Sequence, residues 1–386
     1  MSSNSASNGD HTASALPHIA LMGPVLPFRG GIAQYTTQLH RALGDKCILQ
    51  TISYKRQYPA WLYPGESDLE PGQESYRESG VEYILDSINP MSWRRATHAI
   101  LADHCELAIF DWWTLFWAPP IALMARKLRR RGVRVAFLCH NLFDHDSSPI
   151  KRKFAKLLLS SADAYVVHSS EQAALLQKSF RGKKVVTHPV PLFNQLPQPS
   201  ARLPKRGRLE LLFFGFIRPY KGLDVLIDAL AELNDQEIFL TVVGEPWIPA
   251  KELRKQIAAK YVPNVEMHLG YVDDRSAAEF FSRADLVVLP YHSASGSGVA
   301  ATAFHYGCPL LATRTGGFPD VIDEGKTGFL VSPGSAKELA EVIHPLTRER
   351  LDFMHRDVHA QKSVFTWDSL ARCVLRLTGS SNSILG

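Results

Sequence analysis

No run in the 386-residue sequence approaches the ~20 apolar residues that span a bilayer. The longest nearly uncharged aromatic stretch runs from Trp112 to Ala125 and is interrupted by Pro119 and Pro120, so no transmembrane helix is expected. Residues 1–16 lack both a basic start and an apolar core; they read as a disordered tail and not as a secretory signal, which predicts a cytoplasmic protein. Cysteine is scarce and scattered: Cys47, Cys105, Cys139, Cys308 and Cys373 form no C-x-x-C pair, so free thiols are expected and neither a disulfide framework nor a zinc site is. The sequence has no internal repeats, no heptads and no G-x-G-x-x-G dinucleotide fingerprint. The segment DVIDEGKT at 320–327 ends like a phosphate-binding P-loop but has Asp320 where the first glycine must be, which argues against an NTPase.

What is present is an α/β pattern long enough for two domains. Short β-branched runs alternate with helical periodicity throughout, the signature of parallel sheets covered by helices. The first series is expected at 18–23, 47–53, 107–112, 134–141, 164–169 and 184–189, and the second at 209–216, 238–245, 264–270, 285–291, 309–313 and 329–331. A proline-rich passage separates them. The predicted organisation is a domain at 17–190, a linker at 191–207, a second domain at 208–364 and a terminal helix at 365–386, with Trp367, Leu370, Val374 and Leu377 on one face.

The net charge of +5 is unevenly placed. Most of the basic surplus lies between Arg126 and Lys156, in RKLRRRGVR and IKRKFAKLLL, where Asp144 and Asp146 are the only acids. The surplus suits docking on an anionic membrane leaflet, with the second segment lying flat and its leucines inserted; a merely solvated basic face is the competing reading. No motif interleaves these charges with aromatics, so nucleic acid is not an expected partner.

In open parallel sheets, ligands sit at the carboxyl ends of the strands, where helix N-termini attract anions. Gly30 and Gly31 precede a helix after the first strand and admit close approach of a phosphate, though a tight turn would also use them. Arg218 and Lys221 stand at a helix entry after the first strand of the second series. Cations there oppose the helix dipole unless an anion such as a diphosphate neutralises them. The glycine- and serine-rich loop from Ser295 to Val299 offers backbone amides. His140 ends a strand, with His145 and Asp146 shortly after it; such a histidine is either catalytic or an ordinary capped imidazole.

The joint order of GGIAQYTTQL at 30–39, CHN at 139–141, FFGFIRPYKGLDVLIDAL at 213–230, VVGE at 242–245 and SGVAATAFHYGCPLLATRTGGFPDVIDEGKTGFLV at 297–331 resembles the retaining GT-B glycosyltransferases of family 4. The resemblance implies two Rossmann-like doubly wound domains facing across a cleft, the first binding the acceptor and the second a nucleoside diphosphate sugar, with UDP- or GDP-sugars favoured and neither metal nor cofactor required. It implies His140, Arg218 and Lys221 as the catalytic group, with His140 orienting the donor sugar. It places Gly30 and Gly31, together with Ser297, Gly298 and Val299, by the donor phosphates, Gly244 and Glu245 along the nucleoside, and Tyr271 and Val272 beside the base. The family's two glutamates, separated by seven residues, are replaced here by Ala294 and Thr302. Thr302 keeps a hydroxyl for donor contact, but a lost charge-assisted contact is expected to weaken ribose binding by about 1–3 kcal/mol. The expected reaction is transfer of a hexose, with retained configuration, to a hydroxyl of a glycan, glycolipid or lipid-linked precursor. A non-catalytic nucleotide- or glycan-binding subunit is the runner-up, and nucleotide-sugar epimerisation on the same fold a third reading.

Overall fold

The computed structural model describes residues 16–59, 61, 67–70, 72–143, 148–192, 196–201, 203–247, 249–294, 296–362 and 365–379. The expectations for the N-terminal tail, for His145 and Asp146, and for Ser295 therefore fall outside the described residues, apart from Leu16 at the end of the tail.

The first domain holds a seven-stranded parallel sheet: β1 (His18–Met22), β2 (Ile48–Arg56), β3 (Val81–Asp86), β4 (Leu107–Trp112), β5 (Arg134–Cys139), β6 (Ala164–Val167) and β7 (Lys184–Thr187), in spatial order β3-β2-β1-β4-β5-β6-β7. Its helices are α1 (Gly31–Leu43), α2 (Pro90–Ala102), α3 (Ala118–Arg129), α4 (Pro149–Leu159) and α5 (Ser170–Ser179). The second domain repeats the design with six strands, β8 (Leu209–Phe214), β9 (Ile238–Gly244), β10 (Val265–Leu269), β11 (Leu286–Leu289), β12 (Leu310–Thr313) and β13 (Gly328–Val331), in order β10-β9-β8-β11-β12-β13. Around it lie α6 (Leu223–Leu233), α7 (Ala250–Ala258), α8 (Asp274–Arg283), α9 (Gly298–His305), α10 (Phe318–Val321), α11 (Ala336–Ile343) and α12 (Arg348–Gln361).

The central strands are continuous apolar runs because helices cover both sheet faces; LAIFDW of β4 is buried at every residue. Strand order reverses between β1 and β4 in the first sheet and between β8 and β11 in the second, and at such switch points the strand ends leave a crevice. Loops from both sheets meet there.

The last helix, α13 (Trp367–Leu375), leaves the second domain and packs on α1 of the first. Its stripe of Trp367, Leu370 and Val374 is buried, with the Trp367 ring 4.9 Å from that of Tyr35. Lys46 and Asp368 form an ion pair at 2.9 Å beside it. The two chain crossings also touch: Leu192 N–H donates to Phe365 O at 3.0 Å, and Trp367 Nε1 donates to Leu192 O at 2.8 Å.

Candidate functional site

Between the domains lies a cavity of about 220 Å³. Seven of the residues expected from sequence line it: Gly30 and Gly31 from the first domain, and Gly244, Glu245, Tyr271, Val272 and Thr302 from the second. Gly30 is the residue before α1 and holds φ at 106°, a left-handed backbone that favours glycine. The loops after β8 and β9 are in direct backbone contact: a Cβ on Gly244 would sit 2.1 Å from Gly215 O, so this wall tolerates no side chain there.

His140, Arg218, Lys221, Ser297, Gly298 and Val299 stand outside this lining. Lys221 and Val299 converge beneath Gly215, where a Cβ would meet Lys221 Nζ at 3.1 Å and Val299 Cγ2 at 3.2 Å. Arg218 caps and Lys221 ends a single 3-10 turn, Pro219–Lys221, and α6 begins only at Leu223. Arg218 stacks its guanidinium over Trp247, 3.5 Å from the ring centroid. Ser297 caps α9, its hydroxyl accepting from Ala300 N–H at 3.2 Å, and Gly298 opens that helix. His140 lies on the first-domain side, its Nε2 3.3 Å from Asp111 Oδ1, and Asp111 is fully buried. Thr36 Oγ1 donates to the other oxygen of that carboxylate. His140 packs 5.5 Å from the ring of His168, and a Cβ on Gly296 would lie 3.4 Å from His168 Cβ, so this cluster abuts the loop leading into α9.

Lys221 is 7% exposed and, among the described residues, has no carboxylate partner; the Tyr291 ring lies 5.3 Å away. Burial and the neighbouring Arg218 lower its ammonium pKa to about 8. Such a site is electrostatically unsatisfied until an anion enters. His168 is pushed down to about 3, first by burial and then by His140, and keeps a neutral ring whose Nδ1–H donates to His188 O at 2.9 Å.

Several lining residues were not anticipated from sequence. Arg29 spans the cleft to Glu245 at 2.7 Å and lies 5.0 Å from the Tyr271 ring. Glu70 accepts from Tyr271 Oη at 2.6 Å, and Asp274 lies nearby with its carboxyl pKa raised by burial and by Glu70. The position of Arg29 directly before Gly30 was a usable signal; Glu70 sits in an aperiodic loop and offered none. Thr302 spends its hydroxyl on Gly298 O at 2.9 Å, and Ala294 packs its backbone carbonyl against Gly316. Among the described residues, no cluster of His, Cys, Asp and Glu is arranged to hold a metal ion.

Comparison with known proteins bears on this arrangement. Residues 208–349 match the family model described as glycosyl transferases group 1. D-inositol 3-phosphate glycosyltransferase of Streptomyces avermitilis is 30% identical over 239 residues, which cover 55% of this chain and 51% of that protein. GDP-mannose:glycolipid 4-beta-D-mannosyltransferase of Xanthomonas campestris pv. campestris is 28% identical over 209 residues, covering 54% and 58% respectively. The chain thus spans a little over half the length of these relatives. Among solved structures, sucrose-phosphate synthase from Thermosynechococcus elongatus superposes with a TM-score of 0.70 at 20% identity, covering 94% of this chain and 98% of that one. Anabaena HepE in complex with UDP-glucose does so with a TM-score of 0.72 at 18% identity, covering 95% and 100%. The two-domain fold is that of the GT-B glycosyltransferases, and within it residues 208–349 are similar to the model described as glycosyl transferases group 1.

Proposed function

We propose that the protein transfers a hexose from a nucleoside diphosphate sugar to an acceptor hydroxyl, with retention of configuration and without a metal ion, as a family 4 enzyme. The observation that carries this reading is the buried, uncompensated ammonium of Lys221 beside Arg218. Cleavage of a sugar–diphosphate bond leaves negative charge on the departing phosphates, and preorganised cations there lower the barrier. Backbone amides at Ser297, Gly298 and Val299 and the turn at Gly30 and Gly31 assist them. His140, held through Asp111, orients the donor sugar. Glu245 and Gly244 border the nucleoside, Tyr271 and Val272 the base, and Thr302, its hydroxyl proton given to Gly298 O, keeps lone pairs to accept one donor hydroxyl. A relative named for GDP-mannose and a structural neighbour crystallised with UDP-glucose support a UDP- or GDP-sugar as donor.

The test is calorimetric titration of the full chain with UDP-, GDP-, ADP- and TDP-sugars beside Arg218→Ala and Lys221→Ala. One donor is expected to bind, with affinity falling by about tenfold or more in each variant. Undiminished affinity in both variants removes the diphosphate role, and donor binding without transfer to any acceptor favours the non-catalytic subunit.

A peripheral position on the cytoplasmic membrane face is part of the proposal. The helix α4 turns Ile150, Phe154 and Leu157 outward, 82%, 44% and 59% exposed, among Lys151, Arg152, Lys153 and Lys156. Of the three leucines expected to insert, Leu158 and Leu159 belong to the core, so Leu157 acts with Ile150 and Phe154 instead. Among the described residues no helix is long and apolar enough to cross a membrane.

A further inference from the structure

A second, larger cavity of about 640 Å³ opens in the first domain between the ends of β2 and β3 and the start of α2. Its floor is apolar, with Phe28 and Tyr54 nearly inaccessible to solvent. Three cations converge on its rim from separate elements: Lys55 from β2, Arg77 from the loop before β3 and Arg95 from α2. Lys55 and Arg95 have no ion-pair partner among the described residues. Arg77 donates to the backbone carbonyls of Glu74 and Tyr76, at 3.0 and 2.6 Å, and lies 5.2 Å from the Tyr83 ring.

Among the described residues the one carboxylate in the lining, Asp86, is already neutralised. Arg56, outside the cavity, grips it with Nε and Nη2 at 3.0 and 2.6 Å, and Ile88 N–H donates to it at 3.1 Å. The concavity therefore keeps a net positive rim over a greasy floor. Solvated surface cations commonly pair with acids; here three line one hollow, and among the described residues none of them forms an ion pair.

Position gives the hollow a use. Phe28 and Leu69, joined in an antiparallel bridge, line it, while the next residue in each strand, Arg29 and Glu70, lines the donor cleft. This two-stranded ribbon borders both spaces, held by Arg29 N–H to Asp68 O at 2.8 Å and Glu70 N–H to Pro27 O at 2.7 Å. A molecule seated in the hollow and extending over the ribbon delivers its other end to the cleft.

We propose that the hollow binds the anionic end of the acceptor, a phosphate- or carboxylate-bearing molecule with an apolar portion, through Lys55, Arg77 and Arg95. The inference rests on the transferase reading for the word acceptor, but the anion site stands on its own geometry. The full chain, first titrated with UDP to fill the donor site, is then titrated calorimetrically with inorganic phosphate and, separately, with glucuronate. Lys55→Ala combined with Arg95→Ala is the test variant, since both side chains are exposed and unpaired, and Lys221→Ala is the control. The expected result is binding of at least one anion that weakens about tenfold or more in the double variant and survives in Lys221→Ala, with UDP affinity unchanged by the double variant. The stronger of the two anions tells whether the acceptor carries phosphate or carboxylate. Absence of binding by both anions, retention of binding in the double variant, or its loss only in Lys221→Ala overturns the proposal. Failure of UDP to bind in the first step overturns the donor reading instead, and the anion titration still decides the hollow.

Discussion

At Lys221, burial first and Arg218 second move the ammonium pKa from 10.5 to about 8. The folded-state value lies below the unfolded one, so folding carries the full penalty at pH below about 8 and sheds it as the pH rises towards 10.5. Lys221→Met is accordingly expected to stabilise the ligand-free protein by about 1–3 kcal/mol at pH 7, a gain that vanishes near pH 10.5, as thermal melts at the two pH values will show. Diphosphate affinity should be flat below pH 8 and fall above it in the parent protein, while the Met variant shows no such decline. Sequence spacing singles out Arg218 and Lys221 as candidates, because two cations at a helix entry are locally anomalous. It could not mark Glu70, whose partner Tyr271 is 201 residues away, nor show that Arg218 rests on Trp247. Pairings of that range exist only once the domains face each other.

Among the elements, the central strands were legible because burial on both faces leaves nearly unbroken apolar runs. β3 was not: VEYILD mixes Glu82 and Asp86 into an edge strand whose first four residues stay partly or fully exposed, so its pattern matches no buried strand. The helix α4 shows the complementary limit. Its sequence announces an amphipathic basic segment, yet which leucine faces outward depends on how the helix docks on the sheet. Phe154→Asp with Leu157→Asp should abolish flotation with vesicles containing anionic lipid while leaving the melting temperature within a few degrees, since neither side chain fills the core. Flotation that persists in this variant removes α4 from the membrane contact.

For the whole molecule, two polar clasps close the cleft at separate places. One joins Arg29 to Glu245 and Glu70 to Tyr271. The other joins Ser170 to Asp320, with N–H and hydroxyl donating at 2.8 and 2.6 Å, and Gly316 N–H to Glu171 at 2.9 Å. Polar clasps of this kind suit relative domain motion. Arg29→Ala with Asp320→Ala should preserve circular dichroism and enlarge the radius of gyration in small-angle scattering; an unchanged radius would locate closure in the α13 packing. That packing has a consequence for recombining such enzymes. The surface of α1 that α13 covers is finished by residues arriving more than three hundred positions later, after the chain has built an entire second domain. A chimera that joins this first half to a foreign donor half at one junction would leave Tyr35 without its Trp367 neighbour. Parts exchange here requires two junctions, one on each side of the donated domain, with the closing helix inherited from the same parent as the helix it rests on.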